Sequence, residues 1–323
     1  MKKRALSHYR FGHTFAWLKR KLSKRSKYIA DVKSLYEKLG LEDKPCSLCG
    51  KNDFSLLCEG DRYGFDLNKQ LCNQCGLVQT HPALSEEFHQ EFYTHFYRPL
   101  YTGGVSKVNY DALIIEQEAK GVALITYLKE NGFSKKQLSL LSVIEIGCSS
   151  GGIINKIKPH VHSVQGCDLD YEAINYAKES FKLNVEVATY PTNLPSSPRL
   201  FLLSHVLEHL YNPLEAFQKI HEMMEEGDYL YIAVPGLNQV AKGDYKHDLR
   251  GYFHIAHVTD FTASSLSSMA AEAGFKTINV NEVIDGLFIP TFEGKISWTR
   301  SSQDSIENIQ RIEKTYKKWL FHS

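Results

Sequence analysis

From Leu138 onward the chain alternates short apolar runs with helical stretches. LLSVIEIG, VHSVQGCDLD, EAINYAKESF, NVEVA, LFLLSHV, PLEAFQKIHEMM and YLYIAVP follow one another with brief connections. Alternation of this kind is the mark of a parallel sheet with helices on both faces, so the expected class is α/β. SSLSSMAAEAGF adds a helix, FKTINVNEV a strand and LFIPTF a last strand. At 323 residues the chain has room for about two domains, or one large domain with appendages. Its 43% hydrophobic and 23% charged residues are ordinary globular values, which excludes wholesale disorder, a collagenous repeat and a disulfide miniprotein.

The part before Leu138 reads differently. Residues 1–30 carry ten Lys/Arg and no acid, interspersed with Phe11, Phe15, Trp17, Leu18 and Leu22, although the whole chain has a net charge of only +1. Three readings stay open for this segment: an anionic membrane surface, a phosphate backbone, or a tail that is inert or binds protein. DVKSLYEKLGL spaces Val32, Leu35, Tyr36 and Leu39 for a short helix stopped by Gly40. Two helices are expected after Pro82, the first opened by Ser85 with Glu86 and Glu87 in its first turn, the second stopped at Asn131-Gly132. A final amphipathic helix is expected over about 303–320. No secretory leader and no membrane span are read, so the expected place is the cytoplasm, with contact at the inner face of the membrane as one reading of the basic end.

Seven cysteines, four of them in two close pairs, suit a reducing compartment and metal-bound thiolates better than a disulfide framework. Cys46-Ser-Leu-Cys49-Gly and Cys72-Asn-Gln-Cys75-Gly are two knuckles separated by 22 residues. Thiolates three positions apart in a tight turn can face one tetrahedral ion, and the glycine after each pair permits the turn. With all four positions taken by Cys46, Cys49, Cys72 and Cys75, the expected ion is a structural zinc. Cys58, in the apolar run FSLLC, is expected in the core.

Val143-Ile144-Glu145-Ile146-Gly147-Cys148-Ser149-Ser150-Gly151-Gly152 runs from a strand through a small-residue loop into a helix. Gly147 and Gly151 let a ligand lie against the main chain at the carboxyl edge of the sheet. About twenty residues on, Asp168 closes the next strand, placed for ribose hydroxyls. The middle glycine of G-x-G-x-x-G is replaced by Ser149, which disfavours a dinucleotide, and no Gly-Lys-Ser/Thr follows, which excludes a P-loop.

This stretch resembles motif I, E/D-x-G-x-G-x-G, of class I S-adenosylmethionine-dependent methyltransferases, met by Glu145, Gly147 and Gly151 with Ser149 at the central glycine. The resemblance continues in Ser204 to Leu210 with Asn212-Pro213-Leu214, similar to the family's "vLEHl-dP" segment. It continues in Gly227 to Pro235, and in His254-x-x-His257 with Phe261-Thr262, Leu266 and Ala273-Gly274-Phe275. The cysteine pairs match a subgroup with an N-terminal zinc ribbon that includes deoxysugar and polysaccharide-locus enzymes. The family's adenine-side acid has no match in Ala188 to Asn193, and the "fD" opening of its fourth strand reads Arg199-Leu200. The resemblance implies a Rossmann-like seven-stranded sheet and S-adenosylmethionine bound by Glu145, Gly147, Cys148, Ser149, Gly151, Asp168, Leu169 and His205. The implied organisation is a basic extension over 1–43, the zinc ribbon over 44–83, a helical connector over 84–137, the methyltransferase domain over 138–293 and a C-terminal helix over 294–323.

Methyl transfer from a sulfonium needs alignment and, for a hydroxyl or acidic C–H acceptor, a base. His209 is the expected base, with Glu208 fixing its ring and His257 approaching from the opposite loop; His205, His254 and His257 are the alternatives for the base. His205-x-x-Glu208-His209 also departs by one residue from the E-x-x-E-H metal site of some quinone-biosynthesis enzymes, so a divalent ion there is an alternative. The region from Tyr245 to His257 reads as a lid over a polar, ring-shaped acceptor. A small-molecule acceptor, most readily a sugar or glycan precursor, is the leading expectation. RNA methylation is disfavoured because neither N-P-P-Y nor a prolyl-cysteine pair lies near the sheet, and an inactive zinc-ribbon binding protein is the non-enzymatic alternative. Oligomeric state is not legible.

Overall fold

The computed structural model describes residues 25–101, 108–294, 296–299 and 301–322. The basic segment singled out above therefore lies outside the described residues up to Lys24. Helix α1 (Arg25–Leu39) begins earlier than the apolar spacing indicates and ends at Gly40, whose φ is 80°. Two-residue strand β1 (Leu41–Glu42) pairs antiparallel with β5 (Ala83–Leu84). Between them, β2 (Phe54–Cys58), β3 (Lys69–Cys72) and β4 (Val78–Thr80) form the antiparallel sheet of the cysteine module.

Helix α2 (Glu86–His95) opens as expected, with the Ser85 side chain accepting from the Phe88 amide and Glu86 and Glu87 in its first turn. The short α3 (Tyr97–Tyr101) follows, then α4 (Tyr110–Glu130), stopped at Asn131 and Gly132. Phe88, Phe92 and Leu100 pack with Val32, Phe65, Ile255 and Ala256 in one apolar cluster, so this connector bridges the cysteine module to a later loop.

A seven-stranded mixed sheet forms the centre. Its strands are β6 (Ser142–Ile146), β7 (Ser163–Asp168), β8 (Asn184–Val187), β9 (Arg199–Ser204), β10 (Tyr229–Ala233), β12 (Phe275–Val280) and β13 (Asp285–Pro290), in the order β12-β13-β10-β9-β6-β7-β8. β13 runs antiparallel to both neighbours; the five strands from β6 to β10 are mutually parallel. α5 (Gly152–Ile157), α6 (Tyr171–Phe181) and α7 (Pro213–Met223) make the crossovers, and α8 (Ala263–Glu272) precedes β12. Every residue of β6 is buried because both faces are covered: Ile144 and Ile146 pack toward Phe217, Ile220 and Leu266, Val143 toward Leu124, Ile153 and Ile174. The chain runs outward from β6 through β7 to β8, then crosses back to β9 and β10. The order thus reverses between β6 and β9, and the crevice beyond their carboxyl ends is where open α/β sheets bind ligands.

One connection was not legible in the sequence. β11 (Thr259–Asp260) pairs antiparallel with β4, so a segment deep in the second half of the chain supplies the fourth strand of the cysteine module's sheet. The C-terminal helix α9 (Gln303–His322) buries Ile309 and Ile312 against Leu57, Cys58 and Leu71 of that sheet, and Cys58 is a core residue as expected. Among the described residues no helix is long and apolar enough to cross a membrane.

Candidate active site

The parallel order β9-β6-β7 brings Gly147, Asp168 with Leu169, and His205 side by side at the carboxyl edge, although they are far apart in sequence. Gly147 has φ 77° and Gly151, the cap of α5, φ 77°. A Cβ at Gly147 would lie 2.4 Å from Val206 Cγ2, so no other residue fits without displacement. Ser149, at the place of the missing glycine, also adopts left-handed backbone with φ 48°. Asp168 accepts from the Ser149 amide at 2.8 Å through Oδ2 and from the Asp170 amide at 2.8 Å through Oδ1. Burial raises its pKa against those two amides.

Glu145 is buried beneath the loop, and burial, with the Asp168 charge added, holds its carboxyl well above the usual range. Cys148 is buried as well, so its side chain packs inward, whereas Leu169 is 69% exposed beside the loop. Gln117 on α4 accepts from the Ser150 hydroxyl and the Gly152 amide, each at 3.0 Å, locking the loop from behind. Arg98 on α3 reaches over the loop, 2.7 Å from Asp170 Oδ2 and 3.4 Å from Ser149 Oγ. Neither contact was anticipated, since the connector helices carry no motif of their own.

After β9 the chain turns through His205, with φ 56°, into a single 3-10 turn, Leu207–His209. The Glu208 side chain is 2% exposed, and neither of its oxygens has a hydrogen-bond partner among the described residues. Its Oε1 lies 3.5 Å from His205 Nδ1 and 3.7 Å from His209 Nε2. His209 Nδ1 is fixed 3.0 Å from the Ala256 carbonyl, which also accepts from the Tyr93 hydroxyl at 3.1 Å. With Nδ1–H donating to that carbonyl, Nε2 is the basic nitrogen. Tyr93 and Tyr97 present ring edges to His209 at centroid distances of 6.0 and 5.7 Å.

Burial acts on both members of the Glu208–His209 pair. At Glu208 the neighbouring imidazoles, His209 first, overcome burial and draw the carboxyl down to about 2. At His209 burial prevails over Glu208 and holds the ring at about 4, so the imidazole is neutral near pH 7 and free to accept a proton.

His257 joins this pair. Its ring centroid lies 5.1 Å from that of His209 and 3.7 Å from that of His254. Within the region expected to form a lid, His254 and His257 are 4% and 6% exposed, and the β11–β4 pairing ties down the chain just after them at Thr259–Asp260. The alternative metal triad changes. Glu208, His209 and His257 bring one ligand atom each within 4.8 Å of one another, and His205 is not in that group. These three side chains are the ones that could hold a cation here.

At the cysteine knuckles, the Sγ atoms of Cys46, Cys49, Cys72 and Cys75 all lie within 4.8 Å of one another. Cys46–Cys75 and Cys49–Cys72 are each 3.5 Å apart. The two turns are built alike: the Gly50 amide bonds to the Cys46 carbonyl and the Gly76 amide to that of Cys72, both at 2.9 Å, with positive φ at each glycine. The sulfur cluster is not appended to the molecule, because Cys46, Cys72, Cys75, Leu48 and Leu77 belong to the same buried cluster as Phe201, Phe217 and Phe261.

The sequence profile described as "Methyltransferase domain" matches residues 118–280, half of the chain. No curated protein matches. Among solved structures, the chain is similar to the YcgJ protein from Bacillus subtilis, with 12% identity, 49% of this chain and 69% of that one covered, and a TM-score of 0.39. It is also similar to an S-adenosylmethionine-dependent methyltransferase from Clostridium acetobutylicum, at 10% identity over 64% of this chain and 99% of that one, TM-score 0.39. A third similarity is to magnesium protoporphyrin IX methyltransferase from Synechocystis with bound SAH, at 13% identity over 63% and 98%, TM-score 0.43.

Proposed function

The chain belongs to the methyltransferase-domain family and is a class I S-adenosylmethionine-dependent methyltransferase, and from that premise we propose that it methylates a small polar acceptor, a sugar or glycan precursor. The observation that carries the reading is the place of the Glu208–His209 pair, one turn after the strand that ends beside the glycine loop. When bound, S-adenosylmethionine supplies a methyl group on a positively charged sulfur. Gly147 and Gly151 let it approach the main chain, Ser149 and Leu169 border it, and Asp168 receives the ribose hydroxyls. Glu145 and Cys148 support the loop from below, and His205 closes the cofactor side. His209 takes the acceptor's proton at Nε2, and Glu208 stabilises the ring once it is charged. His257 and the tyrosines at 93 and 97 wall the acceptor side with imidazole and phenol rings, surfaces suited to a hydroxyl-rich ring. The resemblance to the zinc-ribbon subgroup supports the sugar.

A structural zinc on Cys46, Cys49, Cys72 and Cys75 fits the same picture. Sulfurs at about 2.3 Å from a tetrahedral ion lie about 3.8 Å apart, close to the 3.5 Å separations observed. We read residues 44–83 as this zinc ribbon and the basic end as a peripheral contact with an anionic surface. The convergence of Glu208, His209 and His257 favours one second reading, a divalent ion that ionises the acceptor; turnover would then vanish with chelator while the cysteine-bound metal stays.

The cofactor assignment is tested by Asp168→Ala. Calorimetric titration with S-adenosylhomocysteine should show affinity weakened by ~1–3 kcal/mol, the worth of charge-assisted bonds to hydroxyls. Unchanged affinity would remove Asp168 from the ribose site.

A further inference from the structure

The cysteine module and the acceptor-side histidines meet at one buried ion pair. Lys69 lies on β3 and Asp260 on β11, with side chains 2% and 0% exposed and Nζ 2.7 Å from Oδ2. Lys69 Nζ also donates to the His257 carbonyl, and the other Asp260 oxygen, Oδ1, faces His257 Nδ1 at 3.5 Å, short of a formed hydrogen bond, with neither buried atom given another partner among the described residues. A charge pair withdrawn this far from water persists only with a fixed geometry and further partners. Here the further partner of Lys69 is the His257 backbone, and the group facing the remaining Asp260 oxygen is the His257 ring.

The surrounding bonds hold the same segment from two sides. The Thr80 amide donates to the Val258 carbonyl at 3.0 Å and the Thr80 hydroxyl to the His257 carbonyl at 3.4 Å, both from β4. The Val258 amide donates to the Glu208 carbonyl at 2.8 Å. Burial works to raise the Asp260 carboxyl, but Lys69 and His257 outweigh it and keep it below its ordinary range.

We propose that Lys69 and Asp260 are positioning residues that hold His257 with its proton on Nδ1 and its bare Nε2 available at the acceptor side. A buried carboxylate that orients an imidazole selects its tautomer, because only the N–H form of the facing nitrogen can donate to it. The fold of the cysteine module then sets the proton-accepting state of a histidine in the methyl-transfer site. That last clause rests on the methyltransferase reading; the tautomer itself does not.

The test is the 15N spectrum of the full chain carrying labelled histidine, with the His257 signals assigned from their loss in His257→Gln. Wild type is expected to show Nδ1 protonated and Nε2 bare. Asp260→Asn keeps the shape but can turn an amide N–H toward Nδ1, so the proton should move to Nε2. Lys69→Met should leave His257 with mixed tautomers. Affinity for S-adenosylhomocysteine should stay within about twofold in both variants, since neither residue adjoins the glycine loop. Protonation of Nε2 in wild type, or an unchanged signature in Asp260→Asn, would overturn the proposal. If Lys69→Met fails to fold, wild type and Asp260→Asn still decide. A wild-type chain with the expected tautomer but no affinity for S-adenosylhomocysteine would overturn the methyltransferase reading and leave this one standing.

Discussion

His209→Ala is expected to lose ~10²–10⁴-fold in turnover, the usual worth of a positioned proton acceptor, while S-adenosylhomocysteine binds as before. The split follows from place: the ring sits after β9, tied to the Ala256 carbonyl on the acceptor side and not in the glycine loop. The same assignment sets a pH profile. A ring held at about 4 stays neutral through the physiological range, so turnover should be flat from pH 8 to about 5 and fall below that as Nε2 takes its own proton. Acceptor bound beside His209 can shift where the fall lies but not its direction, because protonating the base removes it. The acceptor for this assay is to be sought first in a panel of nucleotide sugars, with S-adenosylhomocysteine release as the readout. Loss of cofactor affinity or of stability in proportion to activity would make His209 structural and return the search to His205, His254 and His257.

Cys72→Ser is expected to abolish metal binding and to destabilise far more than a surface module would. A structural zinc contributes on the order of 10 kcal/mol to folding in isolated zinc-binding peptides. In this chain the loss spreads, because Cys46, Cys72, Cys75 and Leu77 share a core with Phe201 and Phe217 of the central layers. Elemental analysis should fall from about one zinc per chain to under about half, and the melting temperature should drop in parallel. A variant without metal but with wild-type melting would show that the four sulfurs are packing residues only.

The sequence displayed what repeats and concealed what is singular. Alternation of apolar runs with helices was enough for the central sheet, since each parallel strand needs its own crossover. The duplicated spacing of Cys46, Cys49, Cys72 and Cys75 was enough to foresee one sulfur cluster, because both turns follow the same local rule. The glycine loop and Asp168 were legible because β6 and β7 are consecutive. What could not be read is what two distant segments make together. β11 is two residues long and has no periodicity to announce it. Nothing in KQLC marks Lys69 as buried; its partner Asp260 lies 191 residues away. His257 was expected to approach His209 from the opposite loop, and it does, but the metal triad was read from the local spacing of His205, Glu208 and His209, which leaves His257 out.

The claim on which everything else depends is that the crevice beyond β6 and β9 binds S-adenosylmethionine. Native mass spectrometry of the full chain titrated with S-adenosylhomocysteine measures it without knowledge of the acceptor. The account predicts one molecule per chain, displaced by S-adenosylmethionine and weakened by Asp168→Ala. No complex at concentrations up to about 1 mM, where binding is worth only ~4 kcal/mol, would contradict it.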